Sequence, residues 1–156
     1  MSSNEQDKAG VVAPPPLIYL GALVLGLLLN RRFPVPFLPR TIARSLGWPL
    51  LSTGVLLLGW FSRTMRHAGT PASPYKPASY IVTEGPFRYS RNPAYLSMTM
   101  IYTGIASLTN ALWAIVLLPV ALLGIQRGVI EREERYLERR FGEEYLSYKA
   151  QVRRWI

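Results

Sequence analysis

Cysteine is absent from this sequence, and histidine occurs once. Without cysteine the chain can form no disulfide, no zinc–thiolate site and no cysteine nucleophile. The single histidine, His67, excludes a metal site built from several imidazoles, and in its Thr/Arg/Gly-rich surroundings we expect it to be solvated. We therefore predict no bound metal, and any chemistry must rest on carboxylates, arginines and aromatic side chains.

Acidic residues are also scarce, nine against 18 lysines and arginines, and long stretches carry no charge at all. The charge-free runs are 11–30, 45–62 and 92–126. The last is too long for one crossing of a bilayer but suits two short ones, 93–108 and 111–126, joined near Thr109-Asn110. The run 45–62 alone is equally typical of a buried helix in a soluble bundle. The four runs together predict an all-α integral membrane protein with about four transmembrane helices.

The distribution of positive charge predicts the orientation. Fourteen of the 18 basic residues fall on one side of the predicted spans, so we expect that side, with both termini, to be cytoplasmic and the membrane to be the inner membrane. Four arginines in the first connection, Arg31, Arg32, Arg40 and Arg44, fall on the other side and break this rule. A net charge of +9 suits anionic inner-leaflet lipids. Because the charges adjoin apolar spans, we expect no nucleic acid partner.

Two polar clusters flank the long apolar run, and a hairpin returns both to one membrane face. In the first cluster, Asn92-Pro93 is typical of a helix start: asparagine can accept from a first-turn amide, and proline lacks the amide anyway. The free amides and the adjacent Arg91 can bind a carboxylate or phosphate. The alternative is an ordinary helix cap beside an arginine that extends to the interface.

The second cluster contains the glutamate pair Glu133-Glu134. On a helix over 126–140, Ile130, Leu137 and Phe141 fall within an arc of roughly 40°. Glu134 and Glu133 border that arc on either side, at roughly 40° and 60° from Ile130. A buried carboxylate is costly unless an arginine or a cationic ligand stabilises it. The alternative is a solvated helix with surface ion pairs. Farther along, Tyr145, Tyr148 and Trp155 either anchor at the interface or form a wall over the hairpin.

Taken together, these motifs resemble the isoprenylcysteine carboxyl methyltransferase and phospholipid methyltransferase group of small integral membrane enzymes. The resemblance covers about residues 69–156. The motifs that carry it are Val82-Thr83-Glu84-Gly85-Pro86-Phe87, Arg91-Asn92-Pro93-Ala94-Tyr95, Gly104, Glu133-Glu134, and Phe141-Gly142-Glu143-Glu144-Tyr145 with Tyr148.

The resemblance implies a single domain, 1–156, with N-terminal helices at about 11–62 and a cofactor-binding part at about 69–156. It implies that S-adenosylmethionine occupies a cytoplasmic-side pocket closed by the C-terminal segments, and that a lipophilic substrate enters from the bilayer. Asn92 replaces the usual histidine of the motif and cannot titrate near neutral pH. The cofactor contacts that it implies are Ser79, Tyr80, Ile81, Val82, Phe87, Arg91, Asn92, Pro93, Ala94, Tyr95, Glu133 and Tyr148.

The expected activity is methyl transfer to the carboxylate or amine of a lipid-like acceptor, with Glu133, Glu134 and Arg91 as the catalytic candidates. An amine must first lose a proton, which either glutamate can accept, whereas a carboxylate needs no base. The prenylcysteine enzymes carry a substrate-contacting arginine one helical turn before the glutamate pair, and this sequence has Val129 there. That difference disfavours a prenylcysteine acceptor. The alternative function is a non-catalytic membrane scaffold or lipid-binding module.

Overall fold

The computed structural model describes residues 10–71 and 78–156, and in these two ranges the chain forms helices and no strand, which confirms the all-α prediction. The predicted domain also includes 1–9 and 72–77, which lie outside the described residues. The elements are α1 (Pro15–Arg32), α2 (Arg40–His67), a 3₁₀ turn (Gly85–Arg88), α3 (Pro93–Leu108), α4 (Leu112–Ile125), a π turn (Gln126–Ile130), α5 (Glu131–Phe141) and α6 (Glu143–Gln151).

Proline positions determine where three of the helices begin. α1 begins at Pro15 and α3 at Pro93, both with proline in the first turn, where its missing amide costs no hydrogen bond. α2 follows Pro39 and is longer than the charge-free run 45–62, because it includes charged residues at both ends. The α3 bounds match the predicted run, and α4 is one residue shorter than predicted at each end.

Two helical segments are long and apolar enough to cross a membrane, α2 with 28 residues and the continuous helix from α4 through α5 with 30. α1 and α3 have 18 and 16 residues. At 1.5 Å per residue they are about 27 and 24 Å long, slightly less than the roughly 30 Å hydrocarbon layer, so four crossings remain a prediction. Large apolar side chains are exposed on three helices, as expected of lipid-facing surfaces; they include Leu17, Leu20, Val24, Leu25, Leu28, Val55, Leu56, Val116, Val120 and Leu123.

The bundle is held by close packing of α2 against α3 and of α1 against α4. A Cβ atom at Gly104 of α3 would lie 2.7 Å from the Leu51 nitrogen of α2, and one at Gly26 of α1 would lie 2.5 Å from Ala114 Cα of α4. Small residues at such positions let membrane helices approach closely. The glycine that the resemblance singled out in mid-helix therefore serves the α2–α3 contact.

The long helix changes character where the π turn joins α4 to α5. α4 carries no charge, whereas eight of the eleven residues of α5 are charged. Thirty helical residues span about 45 Å, which exceeds the roughly 30 Å hydrocarbon layer by about the length of α5. α5 therefore lies beyond the apolar part of the helix, at the end of the bundle where α1 and α3 begin.

Candidate functional site

A cavity of about 450 Å³ opens at this end of the bundle. The start of α1, the end of α2, the segment 78–95 and the charged helices α5 and α6 all contribute to its lining. The structure thus brings the two polar clusters to one place. The predicted site residues that line the cavity are Tyr80, Ile81, Val82, Phe87, Arg91, Asn92, Pro93, Ala94, Tyr95, Glu133, Glu134 and Tyr148.

Ser79 is the predicted contact that does not line this cavity. It is exposed, and its backbone amide donates to Thr70 Oγ1 at 3.2 Å. Thr70 and both neighbours of Ser79, Ala78 and Tyr80, do line the cavity.

The Glu134 carboxylate is buried, with 5% of the residue exposed, and is bound by two arginines. Arg154 Nε donates to Oε1 at 3.0 Å and Nη2 donates to Oε2 at 2.7 Å, while Arg91 Nη1 lies 3.1 Å from Oε1. Paired guanidinium–carboxylate bonds of this kind are among the strongest in proteins. The sequence predicted an arginine partner, and Arg91 is one; Arg154 was missed, since no sequence spacing links it to Glu134 across the break at Gly142.

The expectation that the Asn92 side chain caps α3 was wrong. Asn92 Nδ2 instead donates to the Arg154 carbonyl at 2.9 Å, and the helix start has no side-chain cap. Ser90 Oγ donates to the same carbonyl at 3.3 Å, and the Arg91 amide donates to the Arg153 carbonyl at 3.0 Å. The segment 152–156 thus supplies acceptors that a local capping rule does not consider. These hydrogen bonds join the start of α3 to the segment that follows α6.

Glu133 occupies a different environment from Glu134. Its Oε1 atom accepts a hydrogen bond from Tyr95 Oη at 2.8 Å, and no arginine bridges it among the described residues. Burial raises the pKa of the Glu133 carboxyl to about 7, with the Tyr95 hydrogen bond lowering it and the charge of Glu134 raising it further. Glu133 can therefore exchange a proton near neutral pH, and the two adjacent carboxyl groups have distinct environments.

Arg91 has donors to spare at the cavity wall. Its side chain is only 9% exposed, yet Nε and Nη1 donate no hydrogen bond of normal geometry to the described residues, even though Nη1 lies close to Glu134. Buried guanidinium donors normally find acceptors. These donors are suited to an additional anionic group within the cavity, and anion binding at the start of α3 stays a prediction.

Aromatic side chains form much of the remaining wall. Tyr148 Oη donates to the Phe87 carbonyl at 2.8 Å, so α6 is joined to the 3₁₀ turn. Tyr145 lines the cavity beside it, which favours the wall interpretation of that residue, whereas Trp155 packs against the core. Tyr136, whose Oη accepts from the Ala78 amide at 3.2 Å, was missed. Its position three residues after Glu133 places it on the same helical face, a signal that was available in the sequence.

Two further sequence positions lie away from the cavity. Val129 is fully buried in the hydrophobic core and does not line the cavity. His67 is exposed at the end of α2, as expected of a solvated histidine.

Comparisons with known proteins add a family. A model of the family described as "Phospholipid methyltransferase" matches residues 42–144, about two thirds of the chain. An uncharacterised protein of Haemophilus influenzae is 51% identical over 37 residues, which are 24% of this chain and 59% of that protein. The chain thus spans about three fifths of the curated relative that it matches. No solved structure matches it significantly.

Proposed function

The chain belongs to the phospholipid methyltransferase family, and on that premise we propose that it transfers a methyl group from S-adenosylmethionine to a lipophilic acceptor in the membrane. The observation that carries the proposal is the cavity, which brings Arg91, Glu133 and the aromatic walls together although they lie far apart in the sequence. A non-catalytic scaffold has no need of spare arginine donors and a titratable carboxyl group around one cavity.

The side chains present suit the chemical groups of this cofactor. A carboxylate is complementary to the Arg91 guanidinium, whose Nε and Nη1 donate no hydrogen bond of normal geometry, and the cationic ammonium and sulfonium groups are complementary to Glu133 and to the faces of aromatic rings such as Tyr148. A volume of about 450 Å³ is also typical of small-molecule sites. The predicted contacts from Tyr80 to Tyr148 therefore remain our assignment for cofactor binding.

When bound, S-adenosylmethionine supplies a methyl group carried by a cationic sulfonium. The residues around it exclude water with apolar and aromatic surface, which strengthens every electrostatic interaction inside the cavity. Arg154 and Arg91 both pair with the Glu134 carboxylate, and so hold α5, the segment after α6 and the start of α3 in one arrangement. We assign Glu134 and Arg91 to positioning and binding.

Glu133 is the residue that can accept a proton. A protonated amine acceptor must lose its proton before it can attack, and the Glu133 carboxylate, whose pKa of about 7 lies near the working pH, is suited to take it. Glu134 is instead engaged by two arginines. A carboxylate acceptor would need no base. The presence of a suitable base therefore favours an amine-bearing lipid as the acceptor.

The proposal is tested by methyl transfer in a defined membrane. The purified protein in nanodiscs is incubated with methyl-labelled S-adenosylmethionine and a mixture of amine-bearing and amine-free lipids, and the lipids are resolved by mass spectrometry. We expect label in an amine-bearing lipid. A folded protein that labels no lipid would support the scaffold instead.

We also propose that the cavity faces the cytoplasm, with both termini on that side of the inner membrane, as the excess of basic residues there suggests. The absence of cysteine makes single-cysteine variants simple to build. Thr109, at the opposite end of the bundle, and Ser147, on α6, are both exposed. We expect Thr109→Cys to react with a membrane-impermeant maleimide added to intact cells whose outer envelope admits the reagent. We expect Ser147→Cys to react only after lysis. Labelling of the two positions in the reverse order would contradict this orientation.

A further inference from the structure

A second cavity, of about 380 Å³, lies at the other end of the bundle. It is bounded by the loop after α1, the first turns of α2 and the end of α3, and Arg40 and Arg44 line it together with Asn30 and Asn110. Pro15 lines the first cavity and Asn30 the second, and along α1 they are about 22 Å apart. That separation places the second cavity at the opposite membrane interface, at the depth of lipid headgroups.

The charge of this cavity has no internal counter-ion. Between residues 10 and 130 the sequence has one acidic residue, Glu84, which lies next to the 3₁₀ turn at the end of the first cavity. Arg40 and Arg44 accordingly form no hydrogen bond or ion pair with the residues that the structure describes. They also occupy the first two turns of α2, where the positive end of the helix dipole disfavours a cation. A bound anion would neutralise the two arginines and would also interact favourably with the positive end of the helix dipole.

The walls of the second cavity are held in a fixed shape. Asn110, at a left-handed φ of 51°, accepts from the Phe37 and Leu38 amides at 3.1 Å each and donates to the Leu38 carbonyl at 2.7 Å. These bonds join the proline-rich loop to the turn between α3 and α4. The site is therefore built before any ligand arrives, which lowers the entropy cost of binding.

We propose that this cavity binds the phosphate of an anionic lipid headgroup in the leaflet opposite the methyl-transfer site. Arginines match the oxygen geometry of phosphate, and the cavity opens at the depth where lipid phosphates lie. The proposal accounts for two of the four arginines that break the positive-inside rule, Arg40 and Arg44. It is independent of methyl transfer.

Lipid titration followed by native mass spectrometry tests the proposal. Detergent-purified protein is titrated with phosphatidylglycerol, with phosphatidylcholine and with inorganic phosphate. We expect one tightly bound phosphatidylglycerol, weakened roughly tenfold or more in R40Q/R44Q, since each charge-assisted hydrogen bond to the phosphate that is lost weakens binding by about tenfold. R31Q/R32Q is the matched control: it removes the same charge at the same end, but neither residue lines the cavity, and Arg32 packs over the Phe33 ring. We expect its affinity to stay within about twofold of wild type.

Three results would overturn the proposal. Equal losses in both double variants would indicate diffuse surface charge, no loss in R40Q/R44Q would exclude the cavity, and displacement of the lipid by inorganic phosphate at similar concentration would make free phosphate the ligand. If R40Q/R44Q does not fold, R40K/R44K serves instead, because it keeps the charge and removes the paired guanidinium geometry; the affinity should still fall.

Discussion

Replacing Glu134 with alanine is expected to lower the free energy of unfolding by about 3 kcal/mol or more, because breaking a buried ion pair from one side leaves its partner charges uncompensated. Arg91 is 9% exposed and Arg154 about a third exposed, so most of the cost comes from Arg91. The loss is measured as a fall in the thermal unfolding midpoint of the detergent-purified protein, followed by intrinsic fluorescence. The variant should also lose S-adenosylmethionine binding, since the start of α3 is no longer fastened to α5.

Glu138→Ala is the matched control for this prediction. Glu138 is on the same helix and pairs with Lys149, but about a third of each side chain is exposed. Exposed pairs of this kind contribute up to about 1 kcal/mol, so a small effect is expected. Equal destabilisation by the two alanine variants would show that the arginine cluster around Glu134 does not hold the site together.

Replacing Glu133 with glutamine is expected to lower the rate of methyl transfer to an amine acceptor by about 10²- to 10⁴-fold, the usual contribution of a general base. The wild-type rate should rise with pH and then level off, because the ionised carboxylate is the form that accepts a proton; the midpoint should lie below the pKa of about 7 that Glu133 has without cofactor, since a bound cation favours the ionised form. The glutamine variant should show no such rise. The measurement is the initial rate at saturating cofactor between pH 5.5 and 9.

Tyr95→Phe provides the control for the pH profile. The Tyr95 hydroxyl donates to Glu133 and stabilises its ionised form, so its removal raises the pKa of Glu133. The midpoint of the profile should shift to higher pH, with a smaller change in the limiting rate. A wild-type rate that does not depend on pH, together with full activity of Glu133→Gln, would exclude this carboxylate as the base and favour a carboxylate acceptor.

Local rules predicted the helices well, because the signals that define them are local. Charge-free runs and prolines located α1, α3 and α4 to within a few residues, and the hairpin argument placed Arg91 near the glutamate pair. Helical periodicity also indicated that Glu133 and Glu134 border a buried face. Both steps depend only on residues within one helix or on the length of an apolar run.

The features that the sequence did not predict depend on distant contacts. Arg154 bonds to Glu134 across the break at Gly142, which has a φ of 54° and separates α5 from α6. The Arg154 carbonyl accepts from the Asn92 side chain, which therefore does not form the expected cap. Val129 lies in the π turn, whose wider turn rotates the helix face that follows, so spacing counted at 3.6 residues per turn does not apply across it.

Equilibrium binding of labelled S-adenosylmethionine to the detergent-purified protein tests the central claim, that Arg91 and the glutamate pair surround one cofactor site. The account predicts saturable binding of one cofactor per chain, reduced at least tenfold in Glu133→Ala and unchanged in Glu138→Ala, whose side chain does not line the cavity. Absence of saturable binding to folded protein, or equal affinity in wild type and Glu133→Ala, would contradict it.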